Sequence, residues 1–180
     1  KNPAYKKIVA DNLKVPFAII GHARLVTNGL LEDNLNNQPV TKDGVIGVHN
    51  GIIVNDAQIW SKFNNLSRKS NVDTEALLAL IRYFEKTGKL LPDATSASFQ
   101  EIEGTASVAL IFNDFPYLML ATNNGSLYFT EKDGLLIFAS EELFLKSLPD
   151  KTRSDKPKIQ RIEPNEAYLV KINSLEKIKF

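Results

Sequence analysis

Apolar residues recur every three to four positions in five segments of this chain, a spacing typical of helices with one buried face. The clearest segment begins near Asp73 and ends before Gly88, which suits a helix end. A polar side chain at the start of a helix can accept hydrogen bonds from the free backbone N–H groups of the first turn. We therefore expect Asp73 or Thr74 to be the N-cap. The predicted helices span 2–13, 56–63, 73–87, 91–102 and 141–148, with Asn55 or Asp56 and Ser140 as the other predicted caps.

The second half of the chain contains short apolar runs separated by Asn- and Gly-containing turns, a pattern typical of strands. The four runs between residues 106 and 139 predict an antiparallel meander, and the last two runs predict a closing pair. Hairpins without β-α-β units predict an α+β fold with antiparallel sheets and helices on the outside. The predicted strands span 17–20, 21–29 (running into a loop), 45–48, 52–54, 106–112, 117–122, 127–130, 135–139, 159–162 and 167–172, and residues 149–158 form a charged loop.

Residues 45–55 hold the most informative pattern, because two β-branched apolar runs flank the polar break His49-Asn50-Gly51. This pattern predicts either two buried strands that meet at a tight turn, or one strand bent by a bulge at Gly51. Asparagine tolerates left-handed geometry and glycine lacks a Cβ atom, so both suit a sharply turned backbone. Such a turn directs an amide side chain and a backbone N–H to one side, as a developing oxyanion requires. On its own, Asn-Gly is more typical of an ordinary hairpin.

Three further polar residues are candidates for a site, and each also has a purely structural explanation. Arg24 follows a predicted buried strand, and its planar guanidinium group fits a carboxylate of either a ligand or a structural salt bridge. Asp73 is explained by helix capping alone. His22 is expected to be a hydrogen-bonded core residue, because no second histidine or acidic cluster lies at metal-ligand spacing. The amides of residues 34–38 are typical of turns.

Composition restricts the class of protein without identifying a function. A hydrophobic fraction of 43% in 180 residues indicates a globular chain that can bury one core. The 22 Lys and Arg residues nearly balance 21 Asp and Glu residues, so the overall charge does not indicate binding to nucleic acid or to an anionic membrane. No apolar run approaches the roughly twenty residues of a membrane span, and no signal peptide is predicted. The absence of cysteine excludes thiol chemistry within these residues, and two histidines disfavour a zinc site.

Six short motifs occur in an order that resembles the class II glutamine amidotransferases, the glutaminase domains whose nucleophile is an N-terminal cysteine. The resemblance runs from about Lys1 to the end of the chain. It implies an α+β fold of the N-terminal-nucleophile hydrolase type, a four-layer αββα sandwich of two mainly antiparallel sheets between helices. The motifs are Gly-His-Ala-Arg-Leu-Val-Thr-Asn-Gly (21–29), Asn-Gln-Pro (37–39), Val-His-Asn-Gly-Ile-Ile-Val-Asn (48–55), Asp-Thr-Glu (73–75), Glu-Gly (103–104) and Phe-Ala-Ser-Glu (138–141).

The resemblance also implies a role for each candidate residue. Arg24, with Thr27 nearby, would hold the α-carboxylate of glutamine, and Asp73 would accept its α-ammonium group. The side chain of Asn50 and the N–H of Gly51 would form the oxyanion hole. These roles are physically consistent, because a zwitterionic amino acid needs an anion receptor and a cation receptor close together. The attacked amide, in turn, needs donors where negative charge develops.

The chain departs from the family at the nucleophile. It has no cysteine and starts at Lys1, whose side chain cannot replace an N-terminal cysteine that uses its own α-amino group as base. The strands that open the family's domain before Gly-His-x-Arg are also not matched. We therefore expect residues 1–180 to form one glutaminase-like domain that is incomplete at its N-terminus. The opening strands and the cysteine would be cut off, supplied by another chain or absent.

Two hypotheses of different classes follow. In the first, the completed domain hydrolyses the side-chain amide of glutamine, its small-molecule substrate, and passes ammonia to a partner synthase or transferase. In the second, a catalytically inactive relative binds an amino acid or a partner protein, which the lack of cysteine supports. We expect a cytoplasmic protein with no cofactor, and composition and charge predict no metal, no nucleic-acid partner and no membrane contact. The resemblance is compatible with a homo-oligomer.

Overall fold

The computed structural model of the protein describes residues 15–23, 37–148 and 158–180. Within these ranges the chain forms helices and antiparallel strands, as the hydrophobic patterns predict. The helices are α1 (Asp56–Lys62), α2 (Asp73–Lys86), α3 (Leu91–Glu101) and α4 (Glu142–Lys146), and the strands are β1 (Val40–Lys42), β2 (Val45–Ile53), β3 (Gly104–Phe112), β4 (Tyr117–Thr122), β5 (Tyr128–Lys132), β6 (Leu135–Ala139), β7 (Gln160–Arg161), β8 (Glu166–Lys171) and β9 (Lys177–Lys179).

The described strands form two antiparallel sheets. The larger sheet has the order β1-β2-β3-β4-β8-β9, and the smaller sheet has the order β6-β5-β7. The longest pairing joins β2 to β3 in unbroken register, from Val45 opposite Phe112 to Ile53 opposite Gly104. This pairing holds the Asn-Gly segment at the end of a central strand.

Two hydrophobic cores define the layers. On one face of the larger sheet, Leu77 and Leu80 of α2 pack in one core with Leu110 of β3. Because strand side chains alternate between faces, Ala109 of β3 lies on the opposite face, where it shares a second core with Phe129 of the smaller sheet. The short helix α4 contacts β5 and β6. The arrangement is helices, larger sheet, smaller sheet and helix, which confirms the predicted α+β, four-layer αββα fold.

The structure corrects several predicted strand connections. Residues 45–53 are one strand in continuous register, so both the hairpin and the bulge at Gly51 are wrong. The predicted meander is divided, because β3 and β4 belong to the larger sheet and β5 and β6 to the smaller one. The predicted closing pair is also wrong, since β7 pairs with β5 whereas β8 pairs with β4 and β9. Residues 17–20 form no strand.

The predicted helices in the described residues are present, but two of the three predicted cap positions are wrong. Val72 occupies the N-cap position of α2, ahead of Asp73. Asn55 does occupy the N-cap position of α1, yet its side chain makes no capping bond. At α4 the N-cap position belongs to Glu141 rather than Ser140. The predicted helix 2–13 and nearly all of the predicted loop 149–158 lie outside the described residues.

No helix in residues 15–23, 37–148 and 158–180 is long and apolar enough to cross a bilayer.

Candidate functional site

The end of β2 and the start of α2 border a cavity of about 800 Å³. Asn50, Gly51 and Asp73, three of the five predicted site residues, line this cavity. The other two, Arg24 and Thr27, lie outside the described residues. The complete lining is His22, Asn37, Gln38, His49, Asn50, Gly51, Ile52, Ile53, Asp56, Asn71, Val72 and Asp73.

Gly51 has a backbone geometry that only glycine adopts readily. Its φ angle is 148°, and a Cβ atom at this position would lie 2.0 Å from the carbonyl oxygen of Thr105. Ala106 lies opposite Gly51 and bonds to Asn123, on the side away from β2. Its N–H donates to Oδ1 of Asn123, and its carbonyl oxygen accepts from the N–H of Asn123. Because hydrogen-bonded and non-hydrogen-bonded pairs alternate along an antiparallel ladder, the N–H of Gly51 points away from β3.

Three N–H groups of β2 therefore project from the same edge of this strand. The first, from His49, donates to Oε1 of Gln38 at 2.5 Å. The third, from Ile53, donates to Oδ2 of Asp73 at 2.7 Å. The N–H of Gly51 between them has no acceptor in the described part of the chain. A single unpaired main-chain donor thus remains on a strand that lines the cavity, and an unpaired donor is available to a ligand.

Asn50 supplies a second free donor next to Gly51. Its side chain is exposed and lies on the face of β2 that also carries Val48, toward the smaller sheet. The carboxamide makes no hydrogen bond to any other described residue. An unpaired carboxamide and an unpaired peptide N–H on adjacent residues can together donate to one oxygen atom.

The carboxylate of Asp73 faces the cavity and also connects two elements. Its Oδ1 accepts from the N–H of Thr74 at 2.8 Å, and its Oδ2 accepts from the N–H of Ile53. The side chain is 26% exposed. Because an ionised carboxylate has about four acceptor positions, Asp73 keeps capacity for a cationic ligand group. It is therefore more than a helix-start residue.

His49 joins β2 to α2 beneath the cavity. Its ring is buried, with Nε2 3.2 Å from the carbonyl oxygen of Thr105, which can only accept. Nε2 therefore carries a proton, while Nδ1 lies 3.1 Å from Oγ1 of Thr74 and 3.8 Å from Oδ1 of Asp73. The ring thus keeps the strand with the free donors in fixed relation to the helix with the carboxylate.

Sequence reasoning assigned His22, Gln38 and His49 incorrectly or incompletely. His22 is exposed and lines the cavity, so its prediction as a core residue is wrong. The sequence pattern places Gln38 in a turn and gives His49 no role. All three residues lie within the motifs 21–29, 37–39 and 48–55, so position within a motif is the signal that points to them. The pairing of side chains with particular N–H groups depends on strand register, which the local pattern does not contain.

The segment that precedes Asp73 is held by a buried ion pair. Nζ of Lys42 lies 3.2 Å from Oε1 of Glu75, and both side chains are almost fully buried. Glu75 also accepts from the N–H groups of Lys69 and Ser70 and from the Ser70 hydroxyl. Burial raises the pKa of Glu75, but the hydrogen bonds from Ser70, Lys69 and Lys42 together lower it by a larger amount. The pKa of Glu75 therefore lies below its ordinary value.

This lowered pKa predicts an acid-dependent loss of stability. The unfolded chain takes up a proton at Glu75 near the ordinary value of 4.5, whereas the folded chain does so only at lower pH. The contribution of Glu75 is therefore present above the unfolded pKa and lost as pH falls through the folded one. We expect urea unfolding to show a smaller decrease of stability below pH 4.5 in Glu75→Gln than in wild type. Glu103→Gln, at an exposed position, should match wild type, and identical pH profiles for Glu75→Gln and wild type would contradict the assignment.

Among residues 15–23, 37–148 and 158–180, no group of three or more His, Asp or Glu side chains is arranged to hold a metal ion.

Two solved enzyme structures share this architecture. Glutamine phosphoribosylpyrophosphate amidotransferase from B. subtilis gives a TM-score of 0.66 over 88% of this chain and 34% of its own, at 21% identity. The allosteric regulatory enzyme of purine biosynthesis gives a TM-score of 0.62 over 80% of this chain and 31% of its own, at 20% identity. These two likenesses show that the chain shares the fold of the matched parts of these enzymes.

The sequence matches the family of glutamine amidotransferase domains over residues 22–147, and the chain belongs to this family. Similar proteins include glutamine–fructose-6-phosphate aminotransferase (isomerizing) of Rhizobium leguminosarum bv. viciae. It is 31% identical over 129 residues, which are 70% of this chain and 21% of the relative. The protein of the same name from Clostridium acetobutylicum is 37% identical over 111 residues, 59% of this chain and 18% of the relative. The chain thus spans about a fifth of the length of these relatives.

Proposed function

We propose that this chain is the substrate-binding part of a glutaminase domain that hydrolyses the side-chain amide of glutamine. The observation that carries the proposal is one cavity lined by an unpaired N–H, at Gly51, and a partly exposed carboxylate, at Asp73. The N–H of Gly51 can donate to an oxygen that gains negative charge, and the carboxylate of Asp73 can bind an α-ammonium group. We propose that Arg24 and Thr27 bind the α-carboxylate, as the family resemblance implies.

In the proposed reaction, the family's N-terminal cysteine, which is not among these 180 residues, attacks the amide carbon through its thiolate. Its α-amino group takes the thiol proton. Electrons from the carbonyl bond move to oxygen, and Asn50 and Gly51 donate hydrogen bonds to that oxyanion. The C–N bond then breaks, and the leaving nitrogen takes the proton and departs as ammonia. Water hydrolyses the remaining thioester to glutamate and restores the thiol.

We further propose that the ammonia is used by a synthase or transferase in the rest of the protein or in a partner chain. The named relatives support this proposal, because they are aminotransferases several times longer than the matched segment. We propose that residues 1–180 are a single glutaminase-like domain of a cytoplasmic protein. The acceptor can be identified by supplying candidate acceptors with glutamine and measuring incorporation of amide-labelled nitrogen.

The test of the proposed site is glutamine hydrolysis by the full-length gene product and its Asp73→Asn variant. Asparagine keeps an acceptor for the N–H of Ile53 but removes the charge that would bind the ammonium group. We expect KM for glutamine to rise about 10- to 100-fold, since a charged hydrogen bond is lost, with a smaller change in kcat. Asp93→Asn, at the exposed first turn of α3, is the matched control. An unchanged KM in Asp73→Asn would refute this role of Asp73.

The second candidate function, an inactive amino-acid-binding module, is favoured by the lack of cysteine in these residues. The reading frame upstream of Lys1 distinguishes the two functions. A Met-Cys start supports the enzyme, and a start without cysteine, combined with binding of glutamine but no turnover by the full-length product, supports the module.

A further inference from the structure

We propose that Gln38 is a positioning residue that completes the edge of β2 and leaves the N–H of Gly51 as its only open donor next to the cavity. The inference rests on the proposed function only in the use of Gly51 as an oxyanion donor. The positioning itself is a statement about hydrogen bonds among the described residues and can be tested without substrate.

Gln38 takes the place of a strand residue by means of its side chain. The backbone pairing of β1 with β2 begins at Val40, which lies opposite Gly47. Two residues further along β2, the carboxamide of Gln38 accepts from the N–H of His49 at 2.5 Å and donates to the carbonyl oxygen of His49 at 2.8 Å. These two bonds are the ones that a neighbouring strand would supply at a hydrogen-bonded pair.

The substitution of a side chain for a strand has a consequence at Gly51. A longer β1 in the same register would also place a residue opposite Gly51. The carbonyl oxygen of that residue would accept a hydrogen bond from the N–H of Gly51. With Gln38 as the last partner on one side and Asp73 holding the N–H of Ile53 on the other, the N–H of Gly51 between them is the only one left open by the residues that the structure describes. Both flanking bonds fix the backbone that carries this donor.

The chain offers a matched control in Asn55, whose carboxamide also bonds the main chain in both directions. Its Nδ2 donates to the carbonyl oxygen of Glu101 at 2.9 Å, and its Oδ1 accepts from the N–H of Glu103 at 2.8 Å. Asn55 does not line the cavity. Gln38→Met and Asn55→Leu thus each remove a double main-chain anchor while keeping much of the side-chain volume.

The direct test is hydrogen–deuterium exchange of the full-length gene product, resolved to single residues. In wild type we expect the amides of His49 and Ile53 to be protected and that of Gly51, between them, to exchange at least tenfold faster. Gln38→Met should accelerate exchange at His49 at least threefold, since its acceptor is lost, and Asn55→Leu should not. Protection of Gly51 equal to that of its neighbours, or unchanged exchange at His49 in Gln38→Met, would overturn the inference.

Glutamine hydrolysis by the same variants separates this inference from the proposed function. We expect Gln38→Met to lower kcat at least tenfold with KM within twofold of wild type, and Asn55→Leu to change neither by more than twofold. If both variants lower kcat equally, Gln38 contributes stability alone and the inference fails. If wild type does not hydrolyse glutamine, the proposed function fails, and the exchange experiment still decides whether Gln38 positions β2.

Discussion

Gly51→Ala is expected to lower the free energy of unfolding by about 2–5 kcal/mol, because it combines backbone strain with a steric clash. The φ angle of 148° is one that residues with a Cβ atom rarely adopt. The added Cβ would lie 2.0 Å from the carbonyl oxygen of Thr105 and 2.8 Å from Nε2 of His49. The first neighbour is backbone and cannot rotate away, so β2 and β3 would have to separate. Urea denaturation of the full-length gene product measures this loss.

Gly134→Ala provides the control that separates the two causes. Gly134 lies in the turn between β5 and β6 with a φ angle of 73°, and an added Cβ would meet no heavy atom within 4 Å. Its substitution carries the conformational cost alone, about 1 kcal/mol. Equal losses of stability in the two variants would show that the contact with Thr105 does not constrain Gly51.

Local sequence was sufficient for the four helices of the described residues and for most of their strands, because these patterns arise within one element. The apolar stripe of α2 and the turn dipeptide before β6 are examples. The partners of the strands were not predictable in this way. β4 pairs with β8, more than forty residues later, after the chain has passed through the smaller sheet, and β5 pairs with β7 rather than only with the strand that follows it. Side-chain alternation also gave little help in β3 and β4, since both faces of the larger sheet are buried there.

The candidate site was predictable in its residues but not in its geometry. The order of motifs identified Asn50, Gly51 and Asp73, and the structure places all three at one cavity. Asn50 and Gly51 nevertheless lie in a continuous strand and not in the predicted turn. The carboxylate of Asp73, predicted as a helix cap, accepts from the N–H of Ile53, a bond that joins residues 20 positions apart. Contacts of this range depend on how β2 and α2 pack, and no short pattern contains that information.

Asn50→Ala is expected to lower kcat for glutamine hydrolysis by about 10²- to 10³-fold, the usual effect of removing one oxyanion-hole donor. The carboxamide of Asn50 makes no hydrogen bond within the described residues and is exposed, so its removal should leave the free energy of unfolding within about 0.5 kcal/mol of wild type. KM should change less than threefold, because the developing charge exists only in the transition state. Steady-state kinetics of the full-length gene product measures both constants.

Asn71→Ala tests whether the effect is specific to the position of Asn50. Asn71 is also an exposed asparagine that lines the cavity, but it precedes α2 rather than lying on β2 beside the free N–H of Gly51. We expect it to reduce kcat less than threefold, since its carboxamide does not adjoin that donor. A loss in Asn71→Ala as large as that in Asn50→Ala would assign the effect to general polarity of the cavity. Full activity in Asn50→Ala would remove Asn50 from the proposed oxyanion hole and leave Gly51 as its only proposed donor.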